Sequence, residues 1–176
     1  MKRFNLKVLL LVFISSLVCQ YAYSQQQDKS DSELGTFLKE RNYAAIQLGK
    51  LISGHLYLTA EVNDSTAIFI LDTGAGATVM EEKREAKFNL TTSSSKDEAV
   101  GAGGSNLALK EASIQNLKIE DYVLHDFDMY LMNLDHINNA FKQGGLPEID
   151  GVIGADILTK GKAVIDYENL ILYLKE

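Results

Sequence analysis

Thr66-Ala67-Ile68-Phe69-Ile70-Leu71-Asp72-Thr73-Gly74-Ala75-Gly76 holds the sharpest change of character in the chain. Ala67 to Leu71 are apolar without a break, the pattern of a strand buried on both faces. The run ends on an acid. An unpaired carboxylate beside a core strand is costly to bury, so Asp72 is a poor choice for stability alone and a candidate for chemistry. Gly74 and Gly76 let the backbone turn sharply and approach another backbone closely. The Thr73 hydroxyl can bond main chain and brace the turn.

Outward from this stretch, the sequence reads mainly as strands. Leu56, Leu58, Ala60 and Val62 alternate with more polar residues, as in a half-buried strand, and Asn63-Asp64 supplies a turn. Downstream, Thr78 and Glu81 have the spacing of a capping box, which predicts a short helix over 81–88. Thr91 to Glu98 reads as a polar loop and Val100 to Ser105 as a glycine-dense one. Residues 107–119 and 122–131 form a long hairpin turning at Glu120-Asp121. Asp135 can open a short helix through Phe141, stopped by Gly144 and Gly145. Ile149 to Gly154 is a short apolar strand ending in glycine. Ala155 to Lys160 is a short helix stopped by Gly161, and 163–167 with 170–174 close the chain as a hairpin. A buried strand, a glycine turn and a short helix thus occur twice, a weak internal repeat by order of elements.

Two carboxylates held a few ångströms apart share a proton, and their pKa values split. The ionised one can take a proton from water while the protonated one polarises a peptide carbonyl. The chain has a single Asp-Thr-Gly. Asp150-Gly151 is the nearest other acid and lacks a hydroxyl residue between acid and glycine. A two-fold dimer would bring Asp72 of one copy to Asp72 of the other.

Phe69-Ile70-Leu71-Asp72-Thr73-Gly74-Ala75, with Val152-Ile153-Gly154 about eighty residues on and the closing Val164-Ile165-Asp166-Tyr167 hairpin, resembles the retropepsin-like aspartic proteases, most closely their bacterial, exported, single-domain members. The likeness spans roughly residues 51–176. It implies a mainly β fold, a small closed acid-protease barrel with short helices. It also implies an aspartic-type endopeptidase acting on polypeptide as a homodimer. Position by position, Asp72 matches the catalytic aspartate, and Thr73, Gly74 and Ala75 the active-site loop. The Thr73 hydroxyl is expected to clasp the partner's loop. Gly101, Ala102, Gly103 and Gly104 match the flap that closes over bound peptide, and Val152, Ile153 and Gly154 the strand crossing behind the catalytic loop. Two features depart from the pattern. Gly76 stands where the bacterial members more often have Ser or Thr, and the flap has no aromatic residue. They leave open an alternative, a weak or inactive peptide-binding module of the same fold in the cell envelope. The stretch 132–148, longer than the viral relatives need, is expected near the substrate cleft.

The first 24 residues set an expected compartment. Lys2, Arg3 and Lys7 precede an apolar run, Val8 to Val18, and Ala22-Tyr23-Ser24 offers small residues at a cleavage site, the pattern of a secretory signal peptide. The run is about half of the roughly 20 residues a spanning helix needs, so no stable membrane span is expected in the mature chain. Val18, a large residue directly before Cys19, disfavours lipidation there. The expected organisation is a signal peptide over 1–24, a leader with a short amphipathic helix over 25–48, and the protease domain over 49–176. The helix, read over roughly 31–43, starts from the Ser30–Glu33 spacing. The mature protein would be periplasmic or extracellular and free of cysteine. Of the 176 residues, 17 are Lys or Arg and 24 are Asp or Glu. Cleavage after Ser24 removes three basic and no acidic residues, leaving 14 basic against 24 acidic, a balance of −10. No basic groove is present, so nucleic acid is not an expected partner. His55, His125 and His136 are scattered without metal-ligand spacing, so no metal or cofactor is expected.

Overall fold

The computed structural model describes residues 32–93, 98–100 and 106–176. It divides into two compact units, the first ending at Arg41 and the second spanning Asn42–Glu176. In the first, α1 (Glu33–Lys39) is a two-turn helix capped by Ser32, whose Oγ accepts the Gly35 N–H at 3.0 Å. The cap thus falls on Ser32, not Ser30, because the Ser32 hydroxyl reaches the third helical N–H directly. Arg41 closes the helix by donating to the Phe37 carbonyl at 3.0 Å and lying over the Phe37 ring. The helix is shorter than the expected 31–43.

The second unit is mainly β. Its first strand, β1 (Tyr43–Gln47), falls in the stretch read as leader, yet pairs along its whole length with the last strand of the chain. The folded unit therefore begins before residue 49. A two-residue strand, β2 (Gly49–Lys50), edges β3 (Leu56–Val62). β3 turns through Asn63-Asp64 into β4 (Ser65–Leu71). Both turn residues have positive φ, 44° and 65°, the geometry a two-residue hairpin needs and Asn and Asp tolerate. The Asn63 carboxamide oxygen then accepts the N–H groups of Gln115 and Asn116 at 2.9 and 3.1 Å, pinning the turn to a distant strand.

Next come β5 (Val79–Glu81), one 3-10 turn (Glu82–Arg84), β6 (Thr91–Ser93) and the pair β7 (Glu98–Val100) and β8 (Asn106–Ala108). The long hairpin follows as β9 (Lys110–Ile119) and β10 (Tyr122–Met132), close to its expected bounds. Helix α2 (Asp135–Gln143), strand β11 (Gly151–Ile153), helix α3 (Ala155–Lys160), β12 (Val164–Asp166) and β13 (Ile171–Lys175) complete the order.

Two local expectations are overturned. No helix spans the expected 81–88: Glu81 ends a strand, and only 82–84 turn helically. Pairing to β10 and β11 takes the backbone of 79–81, and the Thr78 hydroxyl bonds elsewhere, so it cannot cap. Thr91 to Ser93 is a strand on the edge of β9, not loop. Both are cases of tertiary pairing overriding a local pattern.

β3, β4, β11, β5, β10 and β9 are hydrogen-bonded in that order, and β9 returns to β3 through Glu61↔Lys118 and Val62↔Leu117. Six strands thus close into a small barrel. β11 lies between β4, to which it is parallel, and β5, to which it is antiparallel. This layer is apolar on both sides. Phe69, Leu71, Met80 and Ile153 face the main core, while Ile70, Val79 and Val152 belong to a second cluster. Full burial of such side chains is worth about 1.5–3 kcal/mol each, which explains the unbroken apolar run in β4.

Tyr122, buried at the start of β10, has its phenol pKa pushed up, first by burial and then by the charge of Glu176. A folded pKa above the unfolded one means that this contribution is complete below about pH 10 and lost as pH rises toward the folded value. Stability should fall on that alkaline limb, and Tyr122→Phe should flatten it in urea titrations at pH values around 9 to 11.

Candidate active site

Asp72 is the first residue past β4, and its side chain is exposed. The strand before it is held on both sides, Leu71 pairing with Leu56 in β3 and with Ile153 in β11. The Asp72 N–H donates to the Ile153 carbonyl at 3.1 Å, so the ladder continues to the acid itself. There the chain turns. The Ala75 N–H donates to the Asp72 carbonyl at 3.2 Å, and the Gly74 N–H to Asp72 Oδ1 at 2.8 Å. The carboxylate is therefore oriented by its own loop, while its other oxygen accepts no hydrogen bond among the described residues.

The far side of the loop is fastened to the segment after β11. The Ala155 N–H donates to the Ala75 carbonyl at 2.8 Å. Thr78, fully buried, accepts the Gly154 N–H on Oγ1 at 3.1 Å and donates that hydroxyl to Asp156 Oδ1 at 2.7 Å. Asp156 Oδ2 accepts the Thr78 N–H at 2.8 Å, and Oδ1 also accepts the Ile157 N–H at 2.7 Å. Asp156 lies in the first turn of α3 and also clamps the candidate loop. Sequence reading missed Thr78 as its partner. The repeated order of strand, glycine turn and helix was no guide to it, since the first glycine turn leads into strand 79–81 and only the second into a helix.

Loss of this clamp should be measurable. Thr78→Val keeps the shape, strands the Gly154 N–H and removes one donor from Asp156. The expected cost is about 2–4 kcal/mol, or a melting point lower by roughly 5–12 °C at this chain length. Calorimetry should show most of it restored in Thr78→Ser.

Val152, Ile153 and Gly154 lie in β11 and directly after it, behind the loop. Thr73 is exposed and makes no side-chain hydrogen bond among the described residues. It borders an open cavity of about 380 Å³ with Leu158, Ala163 and Ile165 on its walls. Gly76 is exposed, with nothing within 4 Å of the place a Cβ would occupy. Gly101, Ala102, Gly103 and Gly104 lie outside the described residues; the strands on either side, β7 and β8, pair from Glu98↔Ala108 to Val100↔Asn106.

Asp150, the other acid weighed, is buried and committed. Its Oδ2 accepts the Ile68 N–H at 2.8 Å, and Oδ1 meets Arg84 at 3.0 Å and Lys87 at 2.9 Å. It is a structural ion, paired twice as burial requires. Glu81 is likewise buried and satisfied by the N–H groups of Lys83 and Leu134. The histidines stay apart, His55 on Ser53 Oγ and His125 on Asn116 Oδ1. Among the described residues no group of His, Cys, Asp and Glu has the makings of a metal site, and no helix is long and apolar enough to cross a membrane.

Residues 58–157, more than half of the chain, match the model of the family described as aspartyl protease. No curated protein matches the chain in sequence. Among solved structures, a retropepsin-like aspartic protease from Rickettsia conorii is similar over 76% of this chain and 91% of its own, with TM-score 0.53 and 17% identity. EIAV protease complexed with the inhibitor HBY-793 matches over 67% and 98%, with TM-score 0.49 and 17% identity. The retroviral protease-like domain of Ddi1 from Leishmania major matches over 69% and 95%, with TM-score 0.42 and 16% identity. The barrel with β11 threaded between β4 and β5, the first of these likenesses and the family match agree: the chain belongs to the aspartyl protease family and has the retropepsin-like fold.

Proposed function

We propose that this protein is an aspartic endopeptidase that cuts peptide bonds as a homodimer, with a water activated between the Asp72 carboxylates of two copies. The supporting observation is the state of Asp72: exposed, held by one loop N–H, and placed at the end of a strand that is itself fully paired. A lone carboxylate so placed can accept a proton but cannot also polarise the carbonyl, which needs a protonated twin. Asp150 cannot serve as that twin, being buried between Arg84 and Lys87. A two-fold axis beside Asp72 supplies one. The Thr73 hydroxyl, unbonded among the described residues, would clasp a partner's loop in such an arrangement. An extended substrate would be held by strand-like main-chain bonds. Export through residues 1–24, giving a periplasmic or extracellular enzyme, is part of the same proposal.

A second reading, peptide binding without turnover, is favoured by Gly76. It brings no hydroxyl to the loop, and among the described residues the Asp72 carboxylate accepts only the Gly74 N–H. A mixed peptide library at acidic to neutral pH separates the two. Cleavage by the wild-type chain, blocked by a statine-type inhibitor and absent in Asp72→Ala, is the expected result. Equal behaviour of wild type and Asp72→Ala sinks the protease reading. A chain that stays monomeric in sedimentation while still cleaving sinks the pairing of two Asp72 side chains.

A further inference from the structure

Strand β12 is an edge. Its ladder partner on one side is β13, and among the described residues no strand pairs with the other side. Natural edges are commonly blunted by charge, by proline or by a covering element. This one carries Val164 and Ile165, both half-buried, and its single charged residue serves the turn that follows. The Asp166 carboxylate accepts the N–H groups of Glu168 and Asn169 at 3.0 and 2.9 Å and the Asn169 side-chain amide at 2.8 Å. On that fixed turn stands Tyr167, a large ring that is 66% exposed.

The same strand borders the open cavity of about 380 Å³ next to the candidate acid, whose walls include Ala163, Ile165, Leu158 and Thr73, the residue after Asp72. Ala163 and Ile165 also pack on the main core. Alternate residues of a strand share a face, and Tyr167 follows these two at the same spacing. Antiparallel pairing of β12 with β12 of a second copy joins these features. Centred on Ile165, it sets Val164 against Asp166 of the other chain, Ile165 against its own equivalent, and Ala163 against Tyr167. The smallest side chain of the row then meets the largest, beside a cavity. One step further out Lys162 meets Glu168, both exposed and without an ion-pair partner among the described residues. Centring on Asp166 instead would oppose two carboxylates, which is destabilising. Centring on Val164 would set Tyr167 against Gly161, where Leu174 already fills the space beside the backbone.

We infer that the free edge of β12 joins that of a second copy, and that Tyr167 of each chain fills the cavity beside Thr73 of the other. The occupant follows from self-complementarity, since one two-fold axis satisfies the strand edge, the ring, the cavity and the two end charges together. This pairing rests on the reading that two Asp72 side chains act together, and it names the residues that would bring them there. Tyr167 touches no reacting atom. It is a positioning residue that packs on the partner's candidate loop through Thr73.

Cross-linking reads the register. In the whole chain carrying Cys19→Ser, introduced cysteines are the only thiols. Ile165→Cys should oxidise to a disulfide dimer, and equal amounts of Ala163→Cys and Tyr167→Cys should give a mixed disulfide that neither forms alone. Ile52→Cys, at a position 96% exposed, reports random collision. Sedimentation reads the energetics. Tyr167→Ala should weaken dimerisation by at least about tenfold, as loss of a buried aromatic anchor does, while Tyr167→Phe should hold it within about twofold. Lys162→Glu should weaken it, and adding Glu168→Lys should restore it. Where cleavage is measured, its dependence on chain concentration should shift by the same factors. Thermal melts of dilute, monomeric samples should not change, because Tyr167 is exposed in the single chain. Cross-linking no greater than that of Ile52→Cys, or a dimer indifferent to Tyr167→Ala, overturns the interface. If such a dimer still cleaves peptide, the interface alone is lost and the protease reading stands. Cross-links as expected without cleavage above Asp72→Ala uphold the interface and sink turnover alone.

Discussion

Asp72→Asn is expected to fold as stably as the wild type and to lose about 10³-fold in kcat, the middle of the range that proton transfer by a positioned side chain contributes. The reason lies in the division of labour between the two carboxylate oxygens. Oδ1 accepts the Gly74 N–H, and an asparagine amide oxygen can take the same bond, so the loop keeps its shape. In the proposed mechanism the other oxygen carries the charge and proton of the reaction, and there an amide offers neither. Asp72→Ala is the less informative variant, since it removes the Gly74 bond as well. Single-turnover rates and thermal melts on the same samples separate chemistry from folding. Mixing gives a sharper result. If two copies share one site and exchange freely, an equal mixture of wild type and Asp72→Asn retains about a quarter of the activity, because only wild-type pairs work. A retained half would mean that each chain acts alone.

Gly154→Ala carries a large expected loss of stability. Its φ of −103° suits any residue, so the need for glycine here is one of space. A Cβ would lie 2.5 Å from the Ala77 carbonyl carbon, 2.6 Å from its oxygen and 2.9 Å from the Ala75 oxygen. Those are backbone atoms, and none can swing aside as a side-chain tip could. The Ala75 oxygen is held by the Ala155 N–H, and Gly154 itself donates to Thr78. Relief must come from separating the candidate loop from the segment after β11. The expected cost is about 3 kcal/mol, at the upper end for overpacking, or a melting point lower by roughly 6–12 °C. Activity should fall with it even at temperatures where the chain remains folded, because the displaced loop carries Asp72. Gly76→Ser is the matching control. Nothing stands near that Cβ, and stability should stay within about 0.5 kcal/mol of the wild type.

Much of this architecture was legible along the chain because its signals are local. Strand β3 shows a period of two, β4 an unbroken apolar run, and the pair β9 and β10 a turn at Glu120-Asp121, and each of these elements formed near its expected bounds. The errors share one cause. Thr78 and Glu81 have the spacing of a helix start, but a capping pattern describes only four residues. It carries no information about β10 and β11, which claim the same backbone. Tyr43–Gln47 reads as leader because its partner, β13, lies at the other end of the chain.

By itself, the sequence determined that an acid ends a buried strand in a glycine turn, since burial on both faces demands continuous apolar residues and their interruption is visible wherever it falls. Only the tertiary structure decided what surrounds that acid. Barrel closure sets Asp156 against Thr78 across 78 positions and turns Asp150 inward to Arg84 and Lys87. It also packs Ala75 of the loop and Ile137 of α2 against one apolar cluster. A hydrogen bond or an ion pair depends on distance in space, and distance in space between remote residues exists only once the chain has closed.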